Sequence, residues 1–219
     1  MYSFRNDYSE GAHPKVLQAL ADTNLRQTVG YGMDPCCQAA ADTIRRLCAA
    51  PDAAVHFLVG GTQVNLVTID AFLQSYEAVV AAQTGHVSTH ETGAIEATGH
   101  KVCTVESPDG KLTPALVESV LAGHNGTEHM VLPRMVYISD TTEIGTVYTR
   151  AELAALRQCC DVHGLFLYLD GARLGSALTS PDNDLTLPDL AALTHAFTIG
   201  GTKNGALFGE ALILSLIHI

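Results

Sequence analysis

Positive charge is scarce in this sequence. Its 219 residues contain 12 Lys and Arg against 23 Asp and Glu, so the formal net charge at pH 7 is −11. No basic stretch is present that could neutralise a phosphate backbone, and nucleic acid is therefore not expected as a partner. Single small anions remain possible ligands.

The sequence also lacks the cysteine patterns of zinc sites. No CxxC pair occurs, and the two adjacent pairs are poorly placed for a shared zinc ion. We therefore expect no metal site, and reduced thiols such as a cytoplasmic protein carries. The six cysteines are Cys36, Cys37, Cys48, Cys103, Cys159 and Cys160.

Signals for export and membrane insertion are missing as well. The first residues, MYSFRNDYSEG, contain neither a basic region nor an apolar stretch of the kind found in signal peptides. No apolar run approaches the length of a membrane-spanning helix. The expected location is the cytoplasm, without membrane association.

What the chain does contain is an alternation of short apolar runs with longer helical patterns. Hydrophobic residues make up 47% and charged residues 16%, enough for a sizeable core. The alternation predicts βα units around a mostly parallel sheet, with ligands at the carboxyl ends of the strands. The predicted strands are 55–58, 78–82, 101–105, 135–139, 165–169 and 196–199. No repeat, low-complexity segment or linker interrupts them.

Two helices have recognisable ends. Asp34 can cap a helix over 35–49, and Pro35 suits the first helical position. A second helix is predicted over 151–163, where Gly164 is suited to the position after the last turn.

Lys203 is the only Lys or Arg after Arg173, and it follows the predicted strand 196–199. It is either a solvated loop residue or an amine held in a pocket to form a Schiff base with an aldehyde cofactor.

Asp170 and Arg173 follow another strand, in the stretch LDGARL. Asp170 could cap a helix, form an ion pair or face a heterocyclic nitrogen, whereas Arg173 could bind a carboxylate. Asp170 and Lys203 together form the arrangement that a pyridoxal phosphate site requires.

Six segments stand out in order along the chain: FRNDYSEGAHP at 4–14, YGMDP at 31–35, GGTQVN at 60–65, GHVSTHETGAIEATGHK at 85–101, LDGARL at 169–174 and GGTKNGALFGE at 200–210. Together they resemble the threonine aldolase and β-eliminating lyase family of fold-type-I pyridoxal-phosphate enzymes. The resemblance implies a three-layer α/β/α large domain over residues 1–219, with a mostly parallel, mixed sheet and pyridoxal 5'-phosphate as cofactor.

The resemblance also implies roles for individual residues. The backbone N–H groups at Gly60, Gly61 and Thr62 would hold the cofactor phosphate at a helix N-terminus, although an ordinary capped glycine turn is the alternative. His86 would stack on the pyridine face, with a structural histidine as the alternative. Lys203 would form the Schiff base.

Two positions, Asn6 and Glu143, depart from the family pattern, whereas Tyr31 lies in a stretch that matches it. Asn6 stands where a serine often contacts the substrate carboxylate, and it can still donate a hydrogen bond. Glu143 stands where many threonine aldolases have a histidine near the substrate hydroxyl, so it would either assist deprotonation or be an exposed turn residue. Tyr31 would approach the substrate, in some relatives across a dimer interface.

The activity implied is cleavage of threonine or allo-threonine to glycine and an aldehyde by a pyridoxal-phosphate-dependent lyase. In this mechanism Arg173 holds the substrate carboxylate, and Asp170 keeps the pyridine nitrogen protonated. The same early intermediates serve β-elimination and transamination, and both remain alternatives. A homodimer or homotetramer is expected.

The last segment, ALILSLIHI, is expected to be an exposed apolar tail that needs a partner surface. The family comparison implies that a small C-terminal domain would follow. The chain is therefore expected to be a large domain without that small domain, and a non-catalytic cofactor-binding domain is a further alternative.

Overall fold

The computed structural model describes residues 3–124 and 126–215. Within them, seven strands form a single sheet in the order β1-β7-β6-β5-β4-β2-β3. The strands are β1 (Ala54–Leu58), β2 (Glu77–Ala82), β3 (Lys101–Val105), β4 (Leu132–Ser139), β5 (Phe166–Asp170), β6 (Ala196–Gly200) and β7 (Glu210–Leu214).

Among these seven strands, only β7 runs against the others. It pairs antiparallel with β1 on one side and with β6 on the other, whereas β3, β2, β4, β5 and β6 pair in parallel. The predicted mostly parallel, mixed sheet is therefore confirmed, and each predicted strand is present with its ends shifted by a few residues at most.

Helices cover both faces of the sheet, because alternate residues of each central strand are apolar on both sides. On β4, Met135 and Tyr137 pack in one core cluster, while Val136 and Ile138 pack in the other. The helices are α1 (Pro14–Thr23), α2 (Pro35–Leu47), α3 (Gly61–Phe72), α4 (His86–Thr89), α5 (Ala94–Ala97), α6 (Pro114–Ala122), α7 (Arg150–His163), α8 (Leu174–Leu178) and α9 (Leu187–Leu193). The three-layer α/β/α fold expected from the sequence is confirmed.

The helix ends follow the local sequence. The Asp34 side chain accepts hydrogen bonds from the backbone N–H groups of Cys36 and Cys37 at 2.9 and 3.0 Å, so the predicted cap of α2 is confirmed. Helix α7 begins in a capping box between Thr149 and Glu152, and Gly164 follows it with φ of 63°.

The expected exposed apolar tail is wrong for the described part of ALILSLIHI. Ala211, Leu212 and Ile213 are buried within β7, because this strand fills the gap between β1 and β6. Residues 216–219 lie outside the described residues. No helix in residues 3–124 and 126–215 has the length and apolar composition needed to cross a membrane.

Candidate active site

A cavity of about 230 Å³ opens at the carboxyl edge of the parallel strands. The loops after β1, β2, β5 and β6 meet there, together with the start of the antiparallel strand β7. This is the edge at which open α/β sheets bind ligands. The lining residues are Tyr8, Gly61, Thr62, Asn65, His86, Asp170, Ala172, Thr202, Lys203 and Glu210.

Lys203 lies in the turn after β6 and is only partly exposed. The Asn204 side chain fixes this turn by donating hydrogen bonds to the carbonyl oxygens of Gly200 and Ala172 at 2.8 and 3.2 Å. The Lys203 amine lies 5.9 Å from the centre of the Tyr8 ring. It forms no ion pair with any described carboxylate and faces the cavity, where its charge acts on Asp7 and Glu210 at longer range.

Asp170, the last residue of β5, is buried and held by three donors. Its Oδ2 accepts hydrogen bonds from the Tyr137 hydroxyl at 2.6 Å and the Asn65 amide at 2.9 Å. Its Oδ1 accepts from the backbone N–H of Ala172 at 2.9 Å. Asp170 therefore neither caps α8, which begins at Leu174, nor forms the ion pair considered from the sequence.

Asn65 connects this carboxylate to a second one. The Asn65 amide donates to Glu91 Oε1 at 2.7 Å, and its oxygen accepts from the Tyr168 hydroxyl at 2.7 Å. All of these groups are buried. Sequence reasoning assigned no role to Asn65, although a polar residue on the buried face of α3, in the stretch GGTQVN, is a usable signal.

His86 begins α4, and its Nδ1 lies 2.8 Å from Glu91 Oε1. The hydrogen bond to Glu91 raises the pKa of His86, and partial burial opposes the effect. The sequence assigned no role to Glu91 itself. Because the Glu91 carboxylate accepts at Nδ1, the ring is held in one orientation beside the cavity.

The N-terminus of α3 faces the same cavity. Gly60 is its N-cap and no side chain caps it. A Cβ atom added at Gly60 or Gly61 would meet nothing within 4 Å, so the space before these backbone groups is open. The geometry leaves backbone N–H groups and the positive end of the helix dipole available to an anion.

Arg173 lies beside the cavity rather than in its lining. Its Nε donates to Asp7 at 2.6 Å, and its Nη1 lies 3.3 Å from Glu143 Oε1. The Glu143 side chain is only 14% exposed, so the alternative of an exposed turn residue is wrong. The structure thus brings Arg173 and Glu143 into contact, although the sequence analysis considered them separately.

Of the two remaining predicted substrate-binding residues, Asn6 lies near the site and Tyr31 does not. Asn6 lines a neighbouring, larger cavity that Lys203 also borders, and its Oδ1 accepts from the Ser9 hydroxyl at 2.6 Å. Tyr31 is fully exposed with φ of 64° and lines neither cavity. This single chain therefore does not bring Tyr31 to the site.

Glu210 is a further residue that sequence reasoning missed. It begins β7, is 5% exposed, and its buried Oε2 has no hydrogen-bond partner among the described residues. Burial, helped by the charge of Asp170 and opposed by that of Lys203, raises the pKa of Glu210 to about 7. Its only sequence signal is a single acidic residue at the start of an apolar run.

Comparison with known proteins places this geometry in a family. Residues 4–215 match the family model described as beta-eliminating lyase. The chain belongs to this family. Its architecture is shared with aminotransferases: an aspartate aminotransferase from Thermus thermophilus superposes with a TM-score of 0.73 at 18% identity, over 96% of this chain and 56% of that one. The fold-type-I architecture expected from the resemblance is thereby confirmed.

Relatives with higher identity are threonine aldolases. The low specificity L-threonine aldolase of Pseudomonas aeruginosa is 34% identical over 212 residues, which is 96% of this chain and 61% of the relative. Its counterpart from another Pseudomonas strain is 36% identical over 215 residues, with the same coverage. The structure of Leishmania major threonine aldolase matches with a TM-score of 0.97 and 57% identity, over 100% of this chain and 64% of that one. The chain thus spans less than two thirds of each of these relatives.

Proposed function

We propose that this chain is the cofactor-binding large domain of a pyridoxal-phosphate-dependent lyase that cleaves threonine or allo-threonine to glycine and acetaldehyde. The observation that carries the proposal is the placement of Lys203 and Asp170 on one cavity, at the ends of the neighbouring strands β5 and β6. The names of the Pseudomonas and Leishmania relatives support the choice of threonine.

The residues at the cavity fit pyridoxal phosphate. The cofactor needs an amine for its aldehyde, an anion for its pyridinium nitrogen and N–H donors for its phosphate. The cavity offers the Lys203 amine, the Asp170 carboxylate and the uncapped N-terminus of α3. Among the described residues, no atom lies within 4 Å of a Cβ position at Gly60 or Gly61.

When bound, the cofactor supplies an electron sink for the bond that breaks in the amino acid. Lys203 would hold the cofactor through its aldehyde. Asp170 would keep the ring nitrogen protonated, with its carboxylate held in place by three hydrogen-bond donors. His86, oriented by Glu91, would pack on the ring face.

Arg173 is the proposed binding group for the substrate carboxylate. Its planar guanidinium can bind a carboxylate through two parallel hydrogen bonds. In the structure Asp7 and Glu143 fill these donor positions. Substrate binding therefore requires the Asp7 carboxylate to leave Arg173, while Glu143 can stay on the other edge. We assign Glu143 to the substrate hydroxyl, and Asn6 to the carboxylate.

We further propose a homodimer or homotetramer in the cytoplasm. The stretch before α2 exposes several large apolar side chains, which a second subunit would cover. Tyr31 belongs to this stretch and would reach a neighbouring subunit's site. The exposed side chains are Leu25, Val29, Tyr31 and Met33.

Covalent trapping tests the cofactor assignment. The chain contains four lysines, Lys15, Lys101, Lys111 and Lys203. After incubation with pyridoxal phosphate and reduction with borohydride, peptide mass spectrometry should place the added mass on Lys203. The Lys15→Ala variant should label like the wild type, and Lys203→Ala should not label. Labelling spread over several lysines would contradict the assignment.

Product analysis tests the reaction. The comparison uses this chain and a version extended to the length of its relatives, each given threonine or allo-threonine. Glycine and acetaldehyde in equal amounts indicate the proposed lyase. A keto acid instead of glycine would show β-elimination or transamination, and cofactor capture without turnover in both versions would show a non-catalytic domain. Asp170→Asn should abolish turnover without unfolding the chain.

A further inference from the structure

Helices α6 and α7 bring three metal-ligating side chains together far from the cofactor cavity. Glu118 lies on α6, and Cys159 and His163 lie on the last turns of α7. Because α7 ends immediately before β5 begins, the group lies at the amino edge of the sheet. The cofactor cavity lies at the opposite, carboxyl edge, so the two places are separate.

The distances suit a small tetrahedral cation. The ligand atoms of Glu118, Cys159 and His163 all lie within 4.8 Å of one another. His163 Nε2 is 3.5 Å from Glu118 Oε1. Zinc bonds of about 2.0–2.3 Å at tetrahedral angles separate neighbouring ligand atoms by about 3.3–3.6 Å. The nitrogen and oxygen already have this separation, and the sulfur atom needs to approach by about 1.2 Å at most.

The backbone favours a cation at this position. Cys159 and His163 are four residues apart on one helix, so their side chains share a face. They belong to the C-terminal end of α7, where the negative end of the helix dipole attracts positive charge. Glu118 contributes a carboxylate from the neighbouring helix α6, which packs against α7.

The ligand types select the metal. A thiolate and an imidazole favour zinc over magnesium or calcium, which prefer oxygen ligands. The Glu118 and His163 side chains are 57% and 36% exposed, so water can complete the fourth position.

We propose that Glu118, Cys159 and His163 form a zinc-binding site that joins α6 to α7. An exposed Glu118–His163 ion pair by itself contributes little to stability and does not require the nearby thiol. The site is independent of the threonine-cleaving function, because it shares no residue with the cofactor cavity.

The test measures zinc binding by the untagged full chain against a chromophoric chelator. The Cys36→Ser, Cys37→Ser double variant serves as the background, because Cys36 is exposed and Cys37 half-buried. We expect one zinc per chain. Cobalt in place of zinc should give a thiolate-to-metal absorption band.

Substitution of a ligand identifies the site. Cys159→Ser should remove the cobalt band, and His163→Gln and Glu118→Gln should each weaken binding by more than about tenfold, since even outer-shell partners account for about 10–100-fold. Zinc should also raise the thermal unfolding temperature of the background protein but not that of Cys159→Ser.

A matched control uses a second Cys–His pair among the described residues. Cys103 Sγ lies 3.6 Å from His124 Nε2, but no third ligand in the described residues joins them within the distance that groups the proposed ligands. Cys103→Ser should bind zinc like the background. Equal binding by the background and His163→Gln, or loss of the cobalt band in Cys103→Ser, would overturn the proposal, as would the absence of any zinc binding.

Discussion

Glu210→Gln should stabilise the cofactor-free protein at alkaline pH. Glu210 is buried at the start of β7, with one carboxylate oxygen lacking a partner among the described residues. Its ionised form is therefore poorly solvated and is also repelled by Asp170, which is why its pKa rises to about 7. Glutamine has nearly the same shape and cannot ionise, so the variant avoids this cost.

The size of the effect follows from the pKa of Glu210 in the two states. Its ordinary pKa of 4.5 describes the unfolded chain, and the folded value is about 7. Between these values the folded protein binds more protons than the unfolded chain, so the free energy of unfolding falls as pH rises. The difference between the two pKa values lowers the free energy of unfolding by about 3 kcal/mol above pH 7. Below about pH 4.5 this effect is absent.

The assay is urea unfolding of the wild type and Glu210→Gln between pH 4.5 and 8.5, with the linear extrapolation to zero denaturant. The free energy of unfolding of the variant should exceed that of the wild type by up to about 3 kcal/mol at pH 8, and the two should be equal near pH 4.5. Asp140, whose burial raises its pKa to about 7, contributes equally to both proteins and cancels in the difference.

Glu152→Gln is the control, because its effect has the opposite sign. Burial raises the pKa of Glu152, but hydrogen bonds from Lys111 and Thr149 outweigh burial and lower it overall. This variant should be less stable than the wild type at pH 8, and the difference should shrink as pH falls through the folded pKa. If Glu210→Gln and the wild type keep a constant difference over the whole pH range, the reasoning about Glu210 is refuted.

Three further substitutions, two beside the site and one at the start of α7, can be tested by urea unfolding. Gly171→Ala places a methyl group against the carbonyl oxygen of Thr198, too close for any real contact, so the backbone must move; we expect a loss of about 3 kcal/mol or more, and wild-type stability would contradict this contact. Asn65→Leu removes the amide between two buried carboxylates and should cost about 3 kcal/mol, together with weaker cofactor binding. Thr149→Ala removes the capping box with Glu152 and should cost about 1 kcal/mol without affecting cofactor binding.

The sequence could predict features that depend on neighbouring residues. The strands carry apolar runs, and the ends of α2 and α7 carry Asp34 and Gly164, because caps and periodicity act over a few positions. The order of strands and helices then implied that Lys203 and Asp170 would meet at one edge. The structure places both on the same cavity.

Contacts between residues distant in sequence required the tertiary structure. Asn65 lies 105 residues from Asp170 and 26 from Glu91, and no local pattern specifies that one amide joins both. Similarly, Arg173 donates a hydrogen bond to Asp7, from which it is separated by 166 positions in the sequence. Such contacts form only when the helices pack on the sheet. A carboxylate can be buried there only where hydrogen-bond donors from other elements reach it.

The apolar residues of β7 also show what the sequence predicts and what only the tertiary structure determines. Their hydrophobicity was evident from the sequence, and it predicted only that a surface must cover them. Which surface does so depends on the gap between β1 and β6, into which β7 pairs in antiparallel orientation on both sides. That insertion places Glu210 at the cavity edge, because an antiparallel strand starts where its parallel neighbours end. The sequence alone thus determined the elements and the chemical groups, and the packing of the sheet decided which groups share a site.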